Sequence, residues 1–115
     1  MKIQEIASIL KAEVCTRSDY SDIDLQTACS ADLMSDVMAF SKGNAMLLTG
    51  LVNPQVVRTA EMMDIKVVVF VRGKTPPMPM IELAEEKGIV LLTTEYPLFA
   101  ASGKLYTNGI HGRGE

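Results

Sequence analysis

Three short segments of the chain hold residues whose types and spacing suit ligand chemistry: Thr49-Gly50-Leu51-Val52-Asn53, Arg72-Gly73-Lys74-Thr75 and Thr93-Thr94-Glu95. Each sets hydroxyl or small residues just ahead of an expected helix start, where unpaired N–H groups favour anions. The middle segment adds two cations around Gly73, and a glycine lets backbone come close to a ligand. Read as a site, Thr49, Gly50, Asn53, Arg72, Gly73, Lys74, Thr75, Thr93 and Thr94 suit a carboxylate, a phosphorylated small molecule or the phosphate of a nucleotide. Read as architecture, the same residues are turns and caps, with Arg72 and Lys74 solvated.

Catalytic constellations are not legible. Gly73-Lys74-Thr75 invites comparison with the phosphate-binding P-loop, but the glycine needed five residues before the Gly-Lys pair is Val68, inside an apolar run, and two prolines follow Thr75. The single histidine, His111, lies in the tail, and Cys15 and Cys29 are the only cysteines, so no spacing suggests zinc. No Gly-x-Ser-x-Gly elbow occurs. Glu82, Glu85 and Glu86 read as a solvated helix face. Arg58 and Glu61, three apart, either pair on their helix surface or present Arg58 to a second subunit. The sequence therefore predicts no catalytic residue, no metal and no cofactor.

What positions the three segments is a pattern of buried strands and helices. Ala45–Thr49, Lys66–Val71 and Ile89–Leu92 are apolar without alternation, as expected of strands covered on both faces. Between them run a helix from Pro54 to Met62 or Met63, with Asn53 as N-cap, and another from Pro79 to Lys87 that ends on Gly88. This βαβαβ order predicts an α/β fold with a mainly parallel sheet, flanking helices and right-handed crossovers. Ligands in such sheets bind beyond the carboxyl ends of the strands, where the three segments lie.

The flanks are read more lightly. Ile3, Ile6, Ile9 and Leu10 share one face of an opening helix, followed by an extended piece at Glu13–Thr16 and a polar loop at residues 17–22. Ile23 to Cys29 alternates like a half-exposed strand near a sheet edge. Ser30 is the expected N-cap of a helix carrying Leu33, Met34, Val37, Met38 and Phe40, which stops at Lys42-Gly43. A last helix near Tyr96 to Ser102 leads to Gly103. One domain is expected over residues 1–107, with a flexible tail at 108–115.

Composition narrows the function classes. The chain has 115 residues, a net charge of −3 and 48% hydrophobic residues, enough for one core without staples. The charges are scattered, and no basic stripe with interleaved aromatics points to nucleic acid. No stretch reaches the length of a membrane span, and the first residues lack the apolar run of a signal peptide. A cytoplasmic protein with reduced cysteines is expected. The apolar content and eight methionines predict a homodimer, with Met78 and Met80, in a proline-rich segment, as candidate contacts.

The order of several motifs resembles the DRTGG domain family. The residues that carry it are Ala31-Asp32-Leu33-Met34-Ser35-Asp36-Val37, then Leu47-Leu48-Thr49-Gly50-Leu51-Val52-Asn53-Pro54, then Ala84-Glu85-Glu86-Lys87-Gly88-Ile89, with the opening helix and Ala12-Glu13-Val14 ahead of them. Leu33 stands where the signature has its arginine, and Leu51 where it has its second glycine. The resemblance implies an α/β fold like the N-terminal domain of HPr kinase/phosphorylase. It also implies a role like that of the regulatory or dimerising DRTGG pieces in CBS-containing pyrophosphatases and some phosphotransacetylases. Two functions are therefore expected to compete: a regulatory dimer that responds to a small anion or nucleotide, and a docking or dimerisation module without a small ligand.

Overall fold

The computed structural model describes residues 1–40 and 44–112. Its elements in chain order are α1 (Ile3–Leu10), β1 (Glu13–Val14), β2 (Thr27–Ser30), α2 (Met34–Phe40), β3 (Ala45–Thr49), α3 (Pro54–Met62), β4 (Val67–Phe70), α4 (Met78–Lys87), β5 (Val90–Thr93) and α5 (Leu98–Thr107). The five strands form one sheet in the order β1-β5-β4-β3-β2. The β2–β3, β3–β4 and β4–β5 pairs are parallel, and only β1 runs antiparallel to its neighbour β5. The α/β fold with a mainly parallel sheet is the one the apolar runs predict.

The unalternating strands follow from cover on both faces. Successive strand side chains point to opposite sides, and here each side meets helices. Met46, Leu48, Val67, Val69, Val90 and Leu92 pack with Ile3, Ile6 and Leu10 of α1 and Ala101 and Leu105 of α5. Leu47, Val68, Phe70 and Leu91 face the other way, onto Met34 and Val37 of α2, Val56, Val57 and Ala60 of α3, and Met80 and Ala84 of α4. Burying one such aliphatic side chain contributes roughly 1.5–3 kcal/mol, so this double core outweighs any single cap.

Local signals set the helix ends. The Asn53 side chain accepts the Gln55 N–H at 2.8 Å and caps α3. Gly88 closes α4 in the left-handed region at φ 71, where a Cβ would be strained. The helix stop expected at Lys42-Gly43 lies outside the described residues.

Several expectations are corrected. The edge strand starts at Thr27, not Ile23, because Asp24 bridges to Lys2 and Leu25 drops into the core. Ser30 ends β2 instead of capping α2, and its hydroxyl hydrogen-bonds that of Ser102 at 2.7 Å. The last helix passes through Gly103 to Thr107, since Leu105, two residues past that glycine, anchors it in the core. Ile110 is also buried, and the N–H of Ala28 donates to the His111 carbonyl at 3.0 Å. The packed unit therefore reaches beyond residue 107, and its last part lies along the outer edge of β2.

Three side-chain placements also differ. Of the two methionines expected as dimer contacts, Met80 is in the core and Met78 is exposed. Glu61 pairs with Lys87 at 3.2 Å, not with Arg58. Glu85 is half-buried and accepts the Arg17 N–H at 2.8 Å, so it is not part of a wholly solvated face.

Candidate functional site

Sheet register brings the three segments together. Thr49 stands beside Phe70, and Phe70 beside Thr93, so β3, β4 and β5 end level with one another at one end of the sheet. Cross-links then tie the exits. Lys74 Nζ donates to the Gly50 carbonyl at 2.7 Å, and the Thr93 hydroxyl donates to the Lys74 carbonyl at 2.6 Å. The N–H of Gly73 donates to the Thr94 carbonyl at 2.8 Å, and that of Arg72 to the Tyr96 carbonyl at 2.9 Å.

The structure spends several of the residues expected at the site. Thr49 is buried, donates to Asp32 Oδ1 at 3.2 Å and accepts the Leu51 N–H at 3.1 Å. Asn53 is occupied as the cap of α3. Thr94 is buried, donates to the Leu10 carbonyl at 2.6 Å and accepts the Tyr96 N–H at 3.3 Å. It fastens the end of α1 to the sheet.

Backbone donors are spent as well. The N–H groups of Gly50, Leu51, Gln55, Arg72, Gly73, Lys74 and Tyr96 all have acceptors within the chain. The Gly50 amide is held by Asp32 Oδ1 at 2.7 Å. An internal carboxylate thus sits where the first exit would otherwise offer its amide to an anion.

Side chains are what the site presents outward. Arg72 and Lys74 are exposed, and Arg72 reaches back over the first exit, with its Nη2 2.8 Å from where a Cβ on Gly50 would stand. A cleft of about 270 Å³ lies beside them, lined by Lys11, Glu13, Gly73, Thr75, Thr93, Thr94 and Glu95. The Glu95 carboxylate lies over the α-carbon of Gly73 and would clash with any Cβ there. Three residues of this end adopt the left-handed region: Lys11 at φ 48, Arg72 at φ 58 and Gly73 at φ 69. For the two cations that backbone costs roughly 1–2 kcal/mol each.

Lys11 and Glu13 were not read from the sequence as site residues. They reach the cleft because β1 turns back antiparallel, with Glu13 opposite Thr93. Asp32 was noticed within the DRTGG pattern without a role at the exit. The signal that would have found it is a carboxylate just after one strand, since parallel neighbours end together.

The remaining reactive groups lie elsewhere. Cys15 and Cys29 are free and half-buried against the second core. Burial pushes both thiols up from their ordinary range, with Glu13 adding to the effect at Cys15 and Asp36 at Cys29. The His111 ring lies 5.2 Å from that of Tyr106, away from the exits. Among the described residues, no cluster of His, Cys, Asp or Glu is arranged to hold a metal, and no helix is long and apolar enough to cross a membrane.

No protein-family model matches the chain, and no curated protein sequence matches it. Among solved structures, a similar one is the crystal structure of the CBS and DRTGG domains of the regulatory region of a Clostridium perfringens pyrophosphatase, complexed with its activator diadenosine tetraphosphate. The likeness has a TM-score of 0.77 at 17% identity and covers 98% of this chain and 51% of that one. The chain thus spans about half the length of that regulatory piece. At such identity the likeness speaks to fold, and the fold is consistent with a DRTGG-type domain.

Proposed function

We propose that the chain is a non-catalytic regulatory module that combines homodimerisation with binding of a small anionic or nucleotide ligand at the carboxyl end of its sheet. The observation that supports the reading is the level ending of β3, β4 and β5, which sets the exposed Arg72 and Lys74 next to a cleft that Lys11 and Thr75 help to line. With the exit amides already spent, recognition in this reading falls to side chains: the Arg72 guanidinium as the main charge partner, with Lys11 and Thr75 in the cleft. Lys74 already holds the Gly50 carbonyl, so it acts first as a strut between two exits. The non-catalytic part rests on Val68, a buried strand residue where a P-loop needs glycine, and on the absence of any histidine at the exits. The complex of the related regulatory region with diadenosine tetraphosphate makes nucleotides sensible first probes. A cytoplasmic setting belongs to the same proposal.

The test is calorimetric titration with inorganic phosphate, ATP and diadenosine tetraphosphate, repeated on Arg72→Ala. A charge-assisted hydrogen bond contributes about 1.5–3 kcal/mol, so that variant should lose roughly tenfold to a hundredfold in affinity. Binding that ignores both Arg72→Ala and Lys11→Ala would move the site elsewhere. If none of the three compounds binds, the docking-module reading takes over. It draws on three exposed apolar side chains at the same end, Leu33, Met78 and Phe99.

A further inference from the structure

The charged groups that line the cleft at the carboxyl end of the sheet are two carboxylates, Glu13 and Glu95, and one ammonium, Lys11. Two negative groups against one positive leave an excess of negative charge. Among the described residues, neither glutamate has an ion-pair partner. Glu13 stands opposite Thr93 in the antiparallel β1–β5 pair, which puts those two side chains on one face of the sheet. The Glu95 carboxylate is set over the α-carbon of Gly73, in space that only a residue without a Cβ leaves open. A bare anion placed among these groups meets like charge.

The hydroxyls lining the cleft sharpen the imbalance. Thr93 donates its proton to the Lys74 carbonyl at 2.6 Å, so its oxygen is left as an acceptor. Thr94 donates to the Leu10 carbonyl and accepts the Tyr96 N–H, so it is committed on both sides. The Gly73 N–H is bonded to the Thr94 carbonyl. The two carboxylates and the Thr93 oxygen therefore accept, and only Lys11 and Thr75 donate. A ligand that fills the cleft must bring donors. Lys11 already supplies an ammonium, so the donors that fit without setting cation against cation are neutral hydroxyls. The volume of about 270 Å³ falls just under the usual range for ligand pockets of roughly 300–1,000 Å³. It suits a sugar better than a whole nucleotide. The Arg72 guanidinium lies outside the cleft, toward Gly50 on the β3 side.

We infer that the cleft takes the ribose of a nucleotide, whose vicinal hydroxyls donate to Glu13 and Glu95 while its phosphates stay outside, at Arg72. A carboxylate that accepts from a ribose hydroxyl is also how parallel-sheet dinucleotide sites hold their sugar. The inference rests on the reading of this end of the sheet as the ligand site. It narrows the ligand from any small anion to a nucleotide with an intact sugar diol. It also divides recognition between two places: charge is read at Arg72, and the sugar is read by the glutamates.

The experiment is calorimetric titration of the chain with ATP, with its dideoxy analogue, which lacks both sugar hydroxyls, and with inorganic triphosphate. Loss of hydrogen bonds to charged acceptors should make the dideoxy compound and triphosphate bind about tenfold or more weakly than ATP. This comparison uses the unaltered chain, so it stands whatever a substitution does to folding. Glu13→Gln and Glu95→Gln, which keep the side-chain shape, should each weaken ATP about tenfold and leave the dideoxy compound no weaker. A dideoxy compound that binds as tightly as ATP, or glutamine variants that weaken both compounds alike, would overturn the sugar placement. The anion site itself would survive that result if Arg72→Ala still weakened binding. If neither ATP nor triphosphate binds, the ligand-site reading fails, and this inference fails with it.

Discussion

The carboxylate of Asp32 accepts the backbone N–H of Gly50 at 2.7 Å, across the gap between the end of β2 and the end of β3. The first exit is therefore closed by an anion that the chain itself supplies. Hydrogen bonds to a charged acceptor contribute about 1.5–3 kcal/mol. Asp32→Ala should lower the unfolding free energy by an amount in that range, read from urea denaturation. It should also free the Gly50 amide and Thr49 hydroxyl, so phosphate should bind more tightly than to the wild type. Unchanged stability would mean that the carboxylate does not hold this loop in solution.

Gly73 and Gly50 should respond differently to alanine. At Gly73 the new Cβ meets the Glu95 carboxylate, and φ 69 is a conformation that side chains disfavour. A loss of about 1–2 kcal/mol from the backbone alone is expected. At Gly50 the nearest atom is Nη2 of Arg72, the far end of a flexible chain, which can swing aside. Gly50→Ala should cost less stability than Gly73→Ala and should act mainly on the Arg72-dependent step of ligand binding. Comparison of the two melting curves decides the order.

Thr94 separates structure from function at the third exit. Its buried hydroxyl serves both the Leu10 carbonyl and the Tyr96 N–H. Thr94→Val keeps the shape and strips both partners, at a cost of about 1–3 kcal/mol for stranded buried groups. Thr94→Ser should restore most of that stability. A valine variant as stable as the serine variant would argue that the hydroxyl holds nothing.

The two thiols give a pH dependence of known sign. Burial favours the neutral form, so both titrate above the ordinary value of 9.0. At neutral pH they should react with an aromatic disulfide reagent much more slowly in the native chain than in urea. In the unfolded chain the thiols ionise first, so the unfolded state loses protons ahead of the folded one. Stability contributed by the raised values is whole below about pH 9 and falls as the pH climbs above it. Cys15→Ala with Cys29→Ala should flatten that alkaline decline. An alkaline limb identical in the double variant would assign it to other groups.

The central strands and their helices were legible because each carries its own signal: β-branched runs for β4 and β5, Asn53-Pro54 for the start of α3, and Gly88 for the end of α4. The lesser elements depend on partners far away in sequence. The alternation from Ile23 to Cys29 looks like a longer strand, but Leu25 is drawn under the sheet by the opening helix instead. Gly103 looks like a helix stop, yet Leu105 holds the helix together past it. Around the exits, residue types foretold that the three segments share one end of the sheet but not which groups are spent. Nothing local in Thr94 announces that its hydroxyl belongs to Leu10, and nothing local in Glu13 announces that it pairs with Thr93.

That last pairing carries a consequence for how the chain is made. The N–H of Leu91 donates to the Thr16 hydroxyl 75 residues earlier, and β1 can join the sheet only through β5. As the polypeptide leaves the ribosome, β3 and β4 can meet early, since one short crossover separates them. β1, and the side of α1 that meets α5, must wait until the residues of β5 and α5 have been made. During that interval the opening segment lacks part of its cover, and the closing step spans a long loop, which slows folding. The amino-terminal segment is thus the piece most in need of shelter during synthesis, and a nascent-chain arrest series should find protection arriving there last.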